Sequence, residues 1–387
     1  MNDRWEEFRL LKKMFVRYFV IGLLLVVSCS RNKRAQEHGE NERFVAPDDP
    51  VLSYSGRWDR SDSLRPRASW PGFSVSTLFM GQSIKVRMND KGNFYNVEID
   101  GKFCQVVGGQ SGEHVTYQLA ENLTDEMHQI TLQRRNINFD DPTEIEGFVV
   151  DTNARLMKPI QSQNKRIEFI GDSYTVAEGN EATLATLPWK EKYPVTNFST
   201  GYAAVLGKML GAETTAVCRS GSGLICSWTG ERESPMSERY GWTLMEKAEP
   251  PWTFAEEPID MIIVNLGLND HTGSKDKNGE VSAHFSAEFR QAYTRFIQEL
   301  RSRHHGARIV ALSSFLPWAR ENISAVVEAE KLAGSHDVFY AEYDEFPGGY
   351  VADGHPTTET HRKMAVLIFD QLKELGLLTD SGCLRDP

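Results

Sequence analysis

The chain has 387 residues, of which 40% are hydrophobic and 25% are charged, and its formal net charge is −11. This length and composition predict two globular domains, each with its own core. The negative charge argues against a nucleic-acid-binding protein, which needs a basic face.

The N-terminus predicts a signal peptide over residues 1–28. Three basic residues, Lys12, Lys13 and Arg17, precede an apolar run that is too short for a comfortable membrane span. The segment Val26-Val-Ser-Cys29 resembles a bacterial lipobox, in which cleavage leaves a lipidated Cys29 as the new N-terminus. An uncleaved anchor and a plain secretory signal are the alternatives. We therefore expect a protein of the periplasm or outer membrane that reaches the membrane only through a lipid anchor.

Residues 29–49 are polar, charged and nearly free of bulky apolar groups, which predicts a tether. Residues 50–158 then read as short strands with period-two alternation, separated by turn residues. The clearest predicted strands are 74–79, 83–88, 95–99 and 128–133. Such a pattern predicts an antiparallel β-sandwich or jelly roll. We expect this domain chiefly to pack against the second domain and to shape its cleft, although a sandwich in this place could also bind glycans.

The second predicted domain, residues 163–380, begins with a short buried strand at Ile167–Ile170 that stops at Gly171-Asp172-Ser173. A serine just past the end of such a strand lies where α/β sheets place ligands and catalytic groups. Taken alone, Gly-Asp-Ser is also ordinary turn chemistry.

Strands and helices alternate through the rest of this half, which predicts a three-layer αβα domain with a parallel sheet. The predicted strands are 261–266, 308–312 and 337–341, and the predicted helices are 285–303 and 356–375.

Three further polar blocks adjoin apolar runs: Ser220-Gly-Ser-Gly223, Gly267-Leu-Asn269-Asp270 and Asp353-Gly-His355-Pro356. Alone, the first predicts a flexible loop and the second an Asx-type turn. Together with Ser173 they give Ser, Gly, Asn and His in order. In this the chain resembles the SGNH (GDSL-type) hydrolase superfamily from about residue 165 to 378.

A serine hydroxyl becomes a nucleophile only when a base takes its proton, and histidine is the side chain suited to do so near neutral pH. Ser173 is therefore the candidate nucleophile and His355 the candidate base. The resemblance implies an oxyanion hole made by the Ser173 N–H, the Gly223 N–H and the Asn269 side-chain amide. Gly221 is the alternative glycine.

The chain departs from the superfamily pattern before the histidine. The position three residues before His355 is Ala352 rather than aspartate, and Asp353 stands only two residues before it. This spacing, with Trp70–Phe73 and Glu146–Val149 in the first domain, resembles carbohydrate esterase family 2. That resemblance implies a Ser-His dyad whose imidazole is oriented partly by a backbone carbonyl, and it leaves the catalytic role of Asp353 open.

Cysteines and aromatic residues offer weaker signals. Cys218 and Cys226 flank the glycine block and are either a disulfide or two buried free thiols, the second being favoured. The spacings typical of zinc or phosphate sites do not occur, so we expect no metal and no cofactor. Four tryptophans of the second half could be buried or could stack on a sugar ring: Trp228, Trp242, Trp252 and Trp318.

The motifs predict a secreted serine esterase. The resemblance to carbohydrate esterase family 2 implies that it removes acetyl groups from polysaccharides or oligosaccharides, as acetyl xylan esterases do, through an acetyl-enzyme on Ser173. The alternatives are a general GDSL lipase or acyl-ester hydrolase, and a non-catalytic glycan-binding surface lipoprotein. The expected partner is an acetylated carbohydrate.

Overall fold

The computed structural model describes residues 41–139, 142–159, 165–254 and 258–385, so the predicted signal peptide and Cys29 lie outside the described residues. Two separate clusters of buried apolar side chains form the cores. One draws on residues between 45 and 154, and the other mostly on residues between 167 and 384. Within the described ranges, no helix has the length and apolar character needed to cross a membrane.

The N-terminal half is an antiparallel β-sandwich, as predicted. The strands are β1 Glu42–Val45, β2 Ser53–Ser55, β3 Arg67–Ala68, β4 Ser74–Met80, β5 Ile84–Lys91, β6 Phe94–Ile99, β7 Lys102–Gly108, β8 Ser111–Ala120, β9 His128–Arg134, β10 Thr143–Asp151 and β11 Arg155–Met157. They form two sheets with the orders β1-β10-β5-β8, with β3 beside β10, and β11-β4-β9-β6-β7, with β2 beside β4. The residues of β4 alternate between partly exposed and buried positions, which is why the sequence of this strand has a period of two.

Strand β1 corrects the predicted tether of residues 29–49. It pairs antiparallel with β10, with Glu42 opposite Asp151 and Val45 opposite Phe148. Val45 is buried in the sandwich core. The sandwich therefore begins at residue 42, and the prediction was wrong there because a four-residue edge strand carries too little apolar pattern to be seen in the sequence.

The C-terminal half is the predicted α/β domain. Its strands are β12 Arg166–Gly171, β13 Glu213–Cys218, β14 Trp242–Leu244, β15 Lys247–Pro251, β16 Met261–Asn265, β17 Arg308–Ser313, β18 Val338–Glu342, β19 Tyr350–Val351 and β20 His355–Pro356. Its α-helices are α1 Ser173–Val176, α2 Tyr202–Met209, α3 Met236–Arg239, α4 Leu268–Gly273, α5 Ala283–Arg303, α6 Pro317–Leu332 and α7 Thr358–Glu374, with 3₁₀ turns at Trp189–Lys192 and Phe198–Thr200.

A parallel five-stranded sheet, in the order β13-β12-β16-β17-β18, forms the centre of this half. All five residues of β16 are buried, which is the pattern of a strand covered on both faces. The strand order reverses between β12 and β16. In open α/β sheets the carboxyl ends of the strands at such a reversal border the ligand-binding crevice.

The two halves pack closely on one another. Trp70 and Ile137 precede the α/β domain in sequence but belong to its core cluster. The indole N–H of Trp70 donates to the carbonyl of Thr243 at 3.0 Å. The sandwich therefore supplies part of the second core and fixes its own orientation toward the crevice.

Candidate active site

Ser173 is the first residue of helix α1, directly after β12. Asp172 caps this helix by accepting the Tyr174 N–H at 3.0 Å. A Cβ on Gly171 would lie 2.0 Å from Thr175 Oγ1, so only glycine permits this tight strand-to-helix turn. The Ser173 N–H lies in the first turn of the helix, where no intrahelical acceptor exists, so it is available to an external anion.

His355 lies at the end of a short hairpin between β19 and β20. The three loop residues Ala352, Asp353 and Gly354 all have positive φ, at 42°, 66° and 86°. This curled backbone brings the Ala352 carbonyl oxygen to 2.6 Å from His355 Nδ1. A carbonyl only accepts hydrogen bonds, so it places the imidazole proton on Nδ1 and leaves the Nε2 lone pair free.

Ser173, the candidate nucleophile, and the loop that carries His355 are connected through Tyr174. Its hydroxyl donates to the carbonyl of Gly354 at 3.0 Å, and its ring centroid lies 6.1 Å from that of His355. Helix α1, which begins at Ser173, therefore rests against the loop that carries His355. Both residues line one cavity of about 720 Å³.

Asp353 is paired with Lys192 and forms neither a hydrogen bond nor an ion pair with the imidazole. Its carboxylate lies 2.9 Å from Lys192 Nζ, and this hydrogen-bonded ion pair lowers the pKa of Asp353. The same ammonium lies 2.8 Å from the buried carboxylate of Glu178. Glu178 Oε1 is in turn 3.9 Å from His355 Nε2. Among the described residues, the carboxylate in ion-pair contact with the ring is therefore that of Glu178, which the sequence reasoning missed.

Asn269 follows β16 at the start of α4 and lines the cavity. Its amide nitrogen donates to Asp172 Oδ2 at 3.2 Å and to the Ser222 carbonyl at 3.0 Å. Both hydrogens of this amide are thus engaged in the resting protein. Burial raises the pKa of Asp172 to about 7. To bind an oxyanion, the Asn269 amide would have to share one of its two hydrogens with it. The hydrogen bonded to Asp172 is the easier one to share, because that bond is the longer and therefore the weaker of the two.

Asp270, beside Asn269, holds the glycine block in place. Its carboxylate accepts the backbone N–H groups of Leu224, Ile225 and Cys226 at 2.7, 2.8 and 3.2 Å. Burial nevertheless raises the pKa of Asp270 to about 6. The Asn-Asp pair is therefore more than a turn signal, because one side chain faces the cavity and the other fixes the loop beside it.

The two candidate glycines lie in different surroundings. Gly221, with φ of 75°, lines the cavity with Ser173 and His355. Gly223 does not line it. A Cβ on Gly223 would lie 2.3 Å from an Asp270 carboxylate oxygen and 2.3 Å from the Cys226 carbonyl oxygen. The structure therefore favours Gly221, the alternative, as the residue that faces a substrate, and it gives Gly223 the role of close packing against Asp270.

Aromatic side chains border the cavity. Trp228 is 59% exposed and lies over Gly221, where a Cβ would come within 2.9 Å of its ring. Phe139 of the sandwich stacks on Trp189, with ring centroids 4.9 Å apart and planes 2° from parallel. The other tryptophans proposed for stacking, Trp242, Trp252 and Trp318, do not line this cavity.

Cys218 and Cys226 are buried free thiols, so the disulfide alternative is not formed. Burial raises the pKa of Cys226 to about 12, which leaves it an inert thiol at neutral pH. Across the described residues, His, Cys, Asp and Glu side chains form no group of three or more that could hold a metal ion. A larger polar groove of about 990 Å³ lies between the sandwich and Lys165–Arg166, and it contains none of the motif residues.

Comparison with family models gives two matches. Residues 54–159 match the carbohydrate esterase 2 N-terminal domain, and residues 169–363 match the GDSL-like lipase/acylhydrolase family. The two matched segments correspond to the sandwich and the α/β domain.

Individual relatives agree with the family models. The chain is 28% identical over 344 residues to the cellulase/esterase CelE of Acetivibrio thermocellus, covering 86% of this chain but only 40% of that protein's length. It is 24% identical over 376 residues to an acetylxylan esterase/glucomannan deacetylase of Cellvibrio japonicus, covering 94% and 99%. Among solved structures, a family two carbohydrate esterase from Clostridium thermocellum in complex with cellohexaose superposes with a TM-score of 0.76 at 26% identity, covering 84% of this chain and 99% of the other.

Proposed function

Because the chain belongs to the GDSL-like lipase/acylhydrolase family, with the two-domain organisation of carbohydrate esterase family 2, we propose that it is a carbohydrate O-acetyl esterase. The observation that carries the proposal is the single cavity that brings together Ser173, Asn269 and His355. These are the side chains that acyl transfer requires, namely a nucleophile, a base and an oxyanion donor.

The reaction begins when Ser173 Oγ attacks the acetyl carbonyl and its proton passes to His355 Nε2. The Ala352 carbonyl keeps the other imidazole proton on Nδ1, so that Nε2 is the free base. The N–H groups of Ser173 and Gly221 and the amide of Asn269 hold the oxyanion. Its collapse breaks the ester bond, and His355 returns the proton to the departing sugar oxygen. Water, activated by the same histidine, then hydrolyses the acetyl-enzyme.

The cavity walls favour a neutral sugar. Its two basic side chains are already paired, Lys192 with Glu178 at 2.8 Å and Arg219 with Glu246 at 2.6 Å. Trp228, which is 59% exposed, presents an aromatic face of the kind that packs on sugar rings. We therefore assign an acetylated, uncharged polysaccharide or oligosaccharide as the substrate class, as in the acetylxylan esterase relative.

Hydrolysis of 4-nitrophenyl acetate, 4-nitrophenyl butyrate and an acetylated xylooligosaccharide tests this function. The parent protein should cleave the acetate and the oligosaccharide and leave the butyrate nearly untouched, whereas Ser173→Ala and His355→Ala should cleave none of them. Equal rates on acetate and butyrate would favour the general acyl-ester hydrolase. No hydrolysis by the parent would favour a glycan-binding protein.

We also propose that the protein is exported and anchored through lipid on Cys29, on the strength of the basic and apolar segments that precede Val26-Val-Ser-Cys29. Mass spectrometry of the mature N-terminus tests this. A diacylglyceryl-modified Cys29 in the parent, and its loss from membranes in Cys29→Ala, are the expected results. A mature chain that starts at any other residue would overturn the anchor.

A further inference from the structure

The wall of the cavity beside His355 holds a buried ion pair that the acyl-transfer steps do not use. Glu178 and Lys192 have side chains only 3% and 9% exposed, and they lie 2.8 Å apart. Removing two charges from water costs free energy, so a buried ion pair of this kind need not stabilise the fold. Its position next to the imidazole indicates a role in function.

The dyad lacks one component of a full triad. The Ala352 carbonyl orients the ring, but it carries no net charge to stabilise the imidazolium that forms when His355 takes the proton of Ser173. The carboxylate that could supply this charge from the expected side, Asp353, is instead paired with Lys192. The imidazolium therefore needs another negative group close by.

Glu178 occupies that place. Its Oε1 lies 3.9 Å from His355 Nε2. This distance is too long for a hydrogen bond, but it is short enough for a strong electrostatic interaction in a buried site. Its backbone N–H donates to the carbonyl of Ser173 at 3.0 Å, so its position is tied to the nucleophile. Because it does not bond to Nε2, the lone pair of that nitrogen stays available to the serine proton.

The ion pair with Lys192 keeps the Glu178 carboxylate from moving into hydrogen-bond contact with the His355 ring. The Lys192 ammonium is shared between Glu178 Oε1 and Asp353, at 2.8 and 2.9 Å. A carboxylate released from this clamp would move to the protonated imidazole and hold it in an unreactive ion pair. In this arrangement Asp353 positions Lys192, and Lys192 positions Glu178.

Resting on the proposed function, we infer that Glu178 is the electrostatic partner of protonated His355, and that Lys192 and Asp353 are positioning residues that hold it at a working distance. Among the described residues, five charged groups line the cavity with His355, namely Glu178, Lys192, Asp353, Arg219 and Glu231, and two further titratable groups, Tyr174 and His361, interact with its ring. Of these, Glu178 is the carboxylate in an ion-pair contact with Nε2.

The sign of the effect differs between variants. Glu178→Gln removes the negative charge, so the imidazole should protonate at lower pH, by about 0.5–1 pH unit. Lys192→Met removes the positive charge and frees Glu178, so protonation should occur at higher pH by a similar amount. The double variant Glu178→Gln/Lys192→Met should fall between the two, and it leaves no unpaired Glu178 carboxylate should Lys192→Met fail to fold.

NMR titration of the His355 imidazole in the full chain measures this directly, with the signal assigned by its loss in His355→Gln. Glu191→Gln and Lys190→Met, exposed residues of the 3₁₀ turn that carries Lys192, are matched controls that should leave the midpoint within about 0.2 pH unit of the parent. The acidic limb of the kcat/KM profile on 4-nitrophenyl acetate should move in the same directions.

The titration needs no substrate, so it is independent of the proposed esterase activity. Parent and Glu178→Gln midpoints within 0.2 pH unit of each other, or an equal shift in Glu191→Gln, would overturn the inference. The inference would also be overturned if Glu178→Gln lost activity equally at every pH while the acidic limb of its kcat/KM profile stayed in place. The ion pair would then have only a structural role.

Discussion

His355 shows how one backbone turn can replace a side chain. The loop before it places two non-glycine residues, Ala352 and Asp353, in the left-handed region, at a cost of about 1–3 kcal/mol each. Their N–H groups are fixed by the carbonyls of Leu184 and Ala185 at 2.9 and 2.7 Å. These bonds hold the strained backbone in place, and the strained conformation directs the Ala352 carbonyl at the imidazole ring.

Asp353→Ala should therefore be a mild change. Its carboxylate touches Lys192 and not the ring, and the Ala352 carbonyl is unaffected by the substitution. We expect kcat to fall by about 10-fold, whereas His355→Ala should abolish turnover, because general-base action has no substitute. Asp344→Ala, which removes an exposed carboxylate paired with Arg320 at 2.8 Å, serves as the control in steady-state assays. Equal losses for Asp353→Ala and His355→Ala would mean that a full triad operates.

Asn269→Ala tests the oxyanion hole. The amide matters when charge develops on the carbonyl oxygen, so kcat should fall by about 10²–10³ with little change in KM. Asn278→Ala, in an exposed loop beyond α4, is the matched control and should keep parental kinetics. A change confined to KM would show that Asn269 only holds the ground state, through its bonds to Asp172 and Ser222.

Single residues show where sequence reasoning reaches its limit. Ser173 and His355 follow from the chemistry of their types and from their order along the chain, and the structure places both at one cavity. Glu178 carries no such signal, because a glutamate five residues past Ser173 matches no motif. The choice between Gly221 and Gly223 depends on which one the Asp270 carboxylate covers, and that contact joins two distant segments.

At the scale of elements, the loop after β13 is held by the helix after β16. The Asp270 carboxylate accepts three consecutive N–H groups of that loop, so the segments that follow β13 and β16, the strands on either side of β12, are joined at the carboxyl edge of the sheet. The sequence predicted four of the five strands of this sheet from apolar runs, all except β13, and the helices α5 and α7 from their periodicity. It could not predict this link, since Asn-Asp after a strand is equally good turn chemistry.

Asp270→Asn should loosen this loop. An amide nitrogen cannot accept the N–H bonds that a carboxylate oxygen accepts, so at least one buried donor is left unpaired, at about 1–3 kcal/mol. We expect kcat to fall by about 10-fold or more and the melting temperature to drop. Asp276→Asn, which alters an exposed carboxylate that also accepts backbone N–H groups, is the control.

The pH dependence of this destabilisation has a defined sign. Burial raises the pKa of Asp270 to about 6 in the folded protein, from about 3.9 when unfolded. Its contribution to stability is therefore fully present below pH 4 and is lost as the pH rises through 6. The asparagine variant lacks this term, so its deficit in melting temperature should be larger at pH 5 than at pH 8. A deficit that grows with pH would contradict the burial argument.

At the scale of the whole molecule, the sandwich forms part of the candidate active site and of the α/β core. It contributes Phe139 to the cavity wall and Trp70 to the α/β core. Arg135 of the sandwich pairs with Glu181, which follows the nucleophile helix in the chain. The change in periodicity near residue 160 predicted two domains. It did not predict that side chains of the sandwich are buried in the second domain, because the sequence around Trp70 is equally consistent with burial in either core.

Arg57 is the strongest test of this mutual packing. Its guanidinium is 3% exposed, donates to the carbonyls of Tyr240 and Trp242, and lies 3.4 Å from Glu168 of β12. Arg57→Met would leave Glu168 buried without its cation, which typically costs about 3–5 kcal/mol.

We expect Arg57→Met to lower the melting temperature by several degrees in calorimetry, with a single transition if the halves unfold together. Arg60→Met, an exposed arginine of the same segment, should leave it within about 1 °C of the parent. Adding Glu168→Gln to Arg57→Met should recover part of the loss, because the uncompensated charge is then gone. No recovery would mean that the loss comes from the other contacts of Arg57, namely its bonds to the Tyr240 and Trp242 carbonyls and its position 4.7 Å from the centroid of the Tyr240 ring, and not from the uncompensated charge of Glu168.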